Sequence, residues 1–165
     1  MTDKEFEGRC LNERKITKPS AATLIQTEEQ RNSLADRHKN NAEYFLEGTK
    51  ALLQSNTPLL AMLTGYFAME HKANQLLVLK GYKIEDHACV QIALSKIVDH
   101  KDLAKRLSDM YSQRQDIGYR MFLRHSEAER KNAQQAVQEK VIPFMEEIDR
   151  LIAASQNNGF ISPGA

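Results

Sequence analysis

The amino-acid sequence predicts an all-α protein, folded as an antiparallel up-and-down bundle of four to five helices. Apolar residues recur at spacings of three and four almost throughout residues 21–152, and no segment alternates apolar and polar residues for long. The length of 165 residues suits a single domain with its own core. We expect a short helix and an extended lead over residues 1–18, a helical domain over 19–154 and a disordered tail over 155–165.

Capping residues set most of the expected helix boundaries. Thr57 and Pro58 form a helix start, because threonine can cap free amides and proline suits the first helical position. Gly81 is a typical C-terminal stop. The predicted helices cover residues 3–13, 20–54 with a break near 27–30, 57–80, 86–98 and 101–121. Apolar positions wrap more than half of the circumference of the 57–80 helix, which predicts that it is the central, most buried one.

The last helix begins at Ser126, which forms an S-x-x-E capping box with Glu129. Pro143 falls inside the apolar pattern of this helix. Because proline lacks an amide hydrogen and clashes with the preceding turn, we expect a kink there.

Charge and cysteine content favour a cytoplasmic protein that has no stabilising disulfide or metal site. The net charge is +1, from 23 basic and 22 acidic residues, so any contact with nucleic acid or lipid must be local. No apolar run is long enough to span a membrane. Cys10 and Cys89 stand in different segments without a C-x-x-C arrangement, which favours two reduced thiols. The histidines lack the spacing of zinc or di-iron ligands, and no nucleotide-binding glycine motif occurs, so we expect no metal and no cofactor.

Arg114 is the unusual residue of the 101–121 helix. It falls on an apolar stripe that otherwise carries residues such as Leu107, Met110 and Ile117. An arginine there must be paired, must extend its head group into water, or must face a cleft. From the apolar stripe alone, the better interpretation is that the head group of Arg114 extends into water.

The sequence around Arg114 resembles the HEPN superfamily. Residues 114–119 (RQDIGY), which six intervening residues separate from the Ser126 cap, are similar to the end of the HEPN signature helix and the start of the next helix. Upstream, residues 66–73 (YFAMEHKA), 76–82 (LLVLKGY) and His87 are similar to the second helix and loop of one prokaryotic branch. The resemblance covers about residues 15–153.

The resemblance implies a helical bundle that commonly dimerises, with an R-x4-H motif associated in catalytic members with metal-independent RNA cleavage. The arginine steadies the phosphate there and the histidine handles the proton. Arg114 matches the motif arginine, whereas Tyr119 takes the place of the histidine. Tyrosine has an ordinary pKa near ~10 and histidine near ~6.5, so tyrosine is a much weaker base at neutral pH.

Two further residues are candidates for the site. Arg120 and His125 form a second, literal R-x4-H, but His125 directly precedes the Ser126 cap, so we keep it only as an alternative acid or base. Asp116 is expected to pair with Arg120 or to orient Arg114. The candidate catalytic residues are Arg114, Tyr119, Asp116 and His125.

The resemblance predicts a HEPN-like homodimer that binds RNA or a nucleotide and is the partner of a small nucleotidyltransferase in a toxin-antitoxin-like pair. In some relatives the partner adenylylates a tyrosine near the motif, which makes Tyr119 a candidate modification site. The loss of the motif histidine favours binding or regulation over cleavage. An active metal-independent ribonuclease and a non-catalytic helical scaffold are the alternatives.

Overall fold

The computed structural model confirms the all-α bundle and describes Cys10 and residues 22–55, 57–120 and 126–157, the side chains of residues 120, 156 and 157 excepted. The α-helices of this part are α1 (Glu28–Leu53), α2 (Leu60–Leu79), α3 (His87–Lys96), α4 (Lys101–Gln115), α5 (Glu127–Ala136) and α6 (Ile142–Asn157). Two π-helical segments interrupt them. Asp116–Arg120 continues α4, and Val137–Val141 joins α5 to α6. None of the helices in these ranges is long and apolar enough to cross a bilayer.

Helix α2 is the centre of the bundle, as its apolar pattern predicted. Helices α1, α3, α4 and α6 all contact it. Its Met69, Leu76 and Leu77 are fully buried, because a helix that is apolar on most of its surface gains most free energy when other helices surround it. A Cβ atom added to Gly65 would lie 2.9 Å from the Val141 Cγ2 atom. The missing side chain therefore allows the Val137–Val141 segment to approach α2 closely.

The start of the predicted helix 20–54 is wrong, because residues 22–24 form a strand. β1 (Ala22–Leu24) pairs antiparallel with β2 (Tyr82–Ile84), and Thr23 faces Lys83 across the pair. Gly81, at φ 92°, turns the chain out of α2 and into β2. The side chain of Thr27 then accepts a hydrogen bond from the Gln30 amide at 3.2 Å, so the helix begins at Glu28, where a break was expected.

The predicted start of α2 at Thr57 and Pro58 is wrong, because α2 begins at Leu60, and its N-cap residue Leu59 makes no side-chain cap hydrogen bond. The caps of α3 and α5 follow the sequence closely. Asp86 caps α3 by accepting a hydrogen bond from the Cys89 amide at 3.0 Å. Ser126 and Glu129 form the predicted capping box at the start of α5. The irregularity expected at Pro143 takes the form of the π-helical segment just before it, which accommodates the missing amide donor. Helix α6 extends to Asn157, three residues beyond the predicted domain end.

The prediction of two separate reduced thiols is wrong, because Cys10 and Cys89 form a disulfide with a Cα–Cα distance of 5.8 Å. The two cysteines are 79 residues apart in the sequence, so their spacing gave no sign of the pairing. The bond attaches the N-terminal part of the chain to the first turn of α3. Apart from Cys10, the predicted helix 3–13 lies outside the described residues, as do positions 121–125 and 158–165.

Candidate functional site

The guanidinium of Arg114 lies on an aromatic platform formed by α2 and α4. Its Cζ atom is 5.3 Å from the ring centroid of Tyr66, 5.2 Å from that of Phe67 and 5.8 Å from that of Tyr111. All three distances are within the range of cation–π attraction. Tyr111 and Arg114 are three residues apart on α4, and therefore share one face of that helix. The rings hold the half-buried arginine in a defined position.

No side chain in the described ranges forms an ion pair or a hydrogen bond with Arg114. These cation–π contacts satisfy none of the guanidinium's N–H donors. The donors are therefore available for a planar, bidentate contact with a phosphate or carboxylate. Arg114 is thus a positioned cation for which the described residues provide no counter-anion.

A hydrogen-bonded cluster of Tyr66, Glu70 and His87 adjoins the arginine. The Oε1 atom of Glu70 accepts a hydrogen bond from Nδ1 of His87, and the hydroxyl of Tyr66 lies 3.1 Å from the same nitrogen. Tyr66 also hydrogen-bonds to Glu70. Burial and the charge of Glu70 raise the pKa of Tyr66 far above its usual value, so its hydroxyl keeps its proton and acts as a donor.

The imidazole of His87 and the guanidinium of Arg114 contact the same pair of rings. The His87 ring centroid is 6.1 Å from that of Tyr66 and 5.6 Å from that of Tyr111. The His87 side chain is 43% exposed and that of Glu70 only 13%. The Glu70 carboxylate, on the buried side, therefore binds Nδ1, while a large part of the imidazole remains open to solvent. An imidazole and a guanidinium thus lie on the same pair of rings.

The local sequence explains how these side chains meet. Tyr66 and Glu70 are four residues apart on α2, so both face the same neighbours. His87 is the first residue of α3, directly after the Asp86 cap. The turn at Gly81 and the strand β2 return the chain from α2 to this position. Helix α4 then packs against α2 and supplies the remaining groups.

The predicted site residues do not all lie together. Arg114 is in the cluster, whereas Tyr119 is 78% exposed and contributes nothing to the aromatic platform. Asp116 lines a cavity next to the platform. His125 lies outside the described residues.

Sequence reasoning missed the roles of Tyr66, Glu70 and Tyr111, and it named His87 only as part of the resemblance. The one local signal was spacing. Tyr111 precedes Arg114 by three residues and Glu70 follows Tyr66 by four, which places each pair on one helix face. The pairing of Glu70 with His87 depends on the tertiary packing of α2 and α3.

A second histidine pair lies between α1 and α2. The Nδ1 atoms of His38 and His71 are 3.0 Å apart, and Phe45 stacks on His71 with 5.6 Å between ring centroids. Burial lowers the pKa of His38 to about 4, with further contributions from His71 and Arg37. Burial also lowers the pKa of His71. The pair is therefore neutral at physiological pH and forms a hydrogen-bonded packing contact between α1 and α2.

The described residues contain no group of three metal-ligating side chains. No protein-family model, curated protein or solved structure matches the chain. The functional assignment therefore depends on the chemistry of Arg114 and of the side chains around it.

Proposed function

We propose that the chain is a HEPN-like protein that binds RNA or a nucleotide, with Arg114 as the phosphate-binding residue. The observation that carries this proposal is the half-buried guanidinium held over three rings without a described counter-anion. The cation–π contacts satisfy none of the guanidinium's N–H donors, so an oxyanion that accepts hydrogen bonds from them adds a favourable interaction. A phosphate bound to Arg114 provides such an acceptor.

The rest of the proposal concerns partners. It includes a homodimer and, as the second member of a toxin-antitoxin-like pair, a small nucleotidyltransferase. Tyr119 is the acceptor of an adenylyl group in this account, and its 78% exposure supports the role because an exposed hydroxyl is accessible to a second enzyme. A helical scaffold without any ligand is the alternative that the binding experiment below excludes or establishes.

A metal-independent ribonuclease is the second candidate function, and the Glu70–His87 pair is the observation that favours it. A carboxylate on Nδ1 fixes the tautomer in which Nε2 can accept a proton. In such a reaction Nε2 takes the proton of the RNA 2′-hydroxyl, and the 2′-oxygen attacks phosphorus. The bond to the 5′-oxygen breaks, and that oxygen takes a proton from the imidazolium. The products are a 2′,3′-cyclic phosphate and a free 5′-hydroxyl.

Filter binding of a short labelled RNA tests the proposed function. Arg114→Ala should weaken binding by about tenfold to hundredfold, the value of a charge-assisted hydrogen bond, and Arg114→Lys should weaken it less. Arg106→Ala is the matched control, because Arg106 is an exposed arginine of the same helix. Equal binding by wild type and Arg114→Ala contradicts the proposal. If neither wild type nor any variant binds the RNA, the helical scaffold without a ligand is the remaining account.

The same samples, incubated in chelator, test the ribonuclease candidate. Cleavage that His87→Asn abolishes and that added imidazole restores in His87→Gly supports it. Cleavage that is unchanged in His87→Asn assigns the proton transfer to another residue, of which His125 is the first to test.

A further inference from the structure

A cavity of about 390 Å³ opens beside the C-terminal end of α4, where both π-helical segments contribute to its wall. The start of α2 and the helix α5 complete the wall. π-helical turns are rare in proteins and occur frequently at functional sites. The apolar part of the lining is Leu59, Met62, Ile117 and Ala136. Such a surface suits one face of a flat, largely apolar ring system.

The polar part of the lining carries both hydrogen-bond acceptors and donors, on Gln113, Asp116, Asn132, Gln135, Glu139 and Lys140. The Oε1 atom of Gln113 is buried and has no hydrogen-bond partner among the described residues. Glu139, an exposed residue of the same lining, has a carboxylate whose two oxygens accept hydrogen bonds from the Nε2 atom of Gln135 at 3.2 Å and 3.1 Å. A carboxylate has about four acceptor positions, so this contact leaves Glu139 able to accept more hydrogen bonds. A ligand that pairs with Gln113 Oε1 and with the Glu139 carboxylate must bring N–H donors.

The cavity and the phosphate-binding position proposed for Arg114 involve the same two helices, α2 and α4. Gln113 and Arg114 are consecutive residues of α4. On α2, Met62 lines the cavity and Tyr66 lies under Arg114, one helical turn or about 6 Å further along the axis. A ribose can bridge such a separation between a base and its phosphate.

We propose that this cavity binds a guanine base, and that the ligand is a guanosine nucleotide or a guanosine within single-stranded RNA. The Watson–Crick edge of guanine presents the adjacent donors N1–H and N2–H₂, whereas uracil presents a single N–H there. The Oε1 atom of Gln113 accepts one of these donors, and the Glu139 carboxylate accepts another. The inference rests on the proposed function, because Arg114 supplies the phosphate contact.

Calorimetric titration with GMP, IMP and inorganic phosphate tests this inference. IMP lacks only the 2-amino group, and one lost hydrogen bond should make it bind about threefold to tenfold more weakly than GMP. Gln113→Leu should weaken GMP binding by a similar factor and leave phosphate binding unchanged. Gln113→Glu, which keeps an acceptor oxygen, should retain GMP binding. Gln138→Leu is the matched control, because Gln138 is exposed and does not line the cavity.

The outcomes separate the two claims. If neither GMP nor phosphate nor RNA binds, the proposed function and the inference fail together. If GMP binding requires Arg114 but wild type binds GMP and IMP equally and Gln113→Leu has no effect, the guanine cavity is refuted while the proposed function stands. If Gln113→Leu does not fold, the comparison of GMP with IMP on wild type and the behaviour of folded Gln113→Glu decide the matter.

Discussion

Breaking the disulfide between Cys10 and Cys89 should remove a large part of the stability of the fold. The bond joins residues 79 positions apart. In the chain-entropy model, closing a loop of this length lowers the entropy of the unfolded state enough to stabilise the fold by about 4.5 kcal/mol at 25 °C. Domains of this size have total stabilities of about 5–15 kcal/mol, so the reduced protein should be marginal.

Urea unfolding with and without a phosphine reductant measures this effect. With denaturant slopes of about 1–3 kcal/mol per molar, a loss of 4.5 kcal/mol moves the unfolding midpoint by roughly 1.5–4.5 M. Without reductant, the unfolding midpoint of Cys10→Ala should be close to that of reduced wild type, and the reductant should not change this midpoint. Equal midpoints for oxidised and reduced wild type, or two titratable thiols per unreduced unfolded chain, would refute the reasoning.

Three further predictions concern the core. The pKa of His38 is about 4 in the fold, below its ordinary value, so the unfolded chain binds more protons than the folded one in acid. The free energy of unfolding should therefore fall by about 1–3 kcal/mol between pH 6.5 and pH 4, a range that allows for the partial exposure of His38. Urea midpoints across this range check it, and His38→Gln should flatten the dependence. Leu107, 1% exposed, should lose about 2–5 kcal/mol on replacement by alanine, and an unchanged melting temperature would contradict this. Gly65→Ala should destabilise by about 1–3 kcal/mol through contact with Val141, whereas Gly48→Ala, which meets nothing within 4 Å, should stabilise by about 1 kcal/mol.

The helices were largely predictable because their ends depend on local chemistry. Ser126 and Glu129 cap α5 through groups three residues apart, and Gly81 ends α2 through its own backbone conformation. The strand at 22–24 was not predictable in this way, because its hydrogen-bonding partner lies 60 residues away. The disulfide was missed for the same reason.

The site was predictable only in part. Arg114 stood out because a charge interrupted an apolar stripe, which is a property of one helix. The catalytic potential of His87 depends on Glu70, which is on another helix, 17 residues away. No spacing rule within one element relates these two residues. The π-helical segment after Gln115 was also missed, since the apolar pattern continued through it.

The most direct test of the central claim is an NMR titration of the arginine Nε–H signals with a short RNA or GMP. The signal of Arg114, assigned by its loss in Arg114→Lys, should move to a saturating limit as ligand is added, because its guanidinium edge binds the phosphate. The signals of exposed arginines such as Arg106 should move little. An unmoved Arg114 signal, with ligand bound and other arginine signals shifted, would contradict the account.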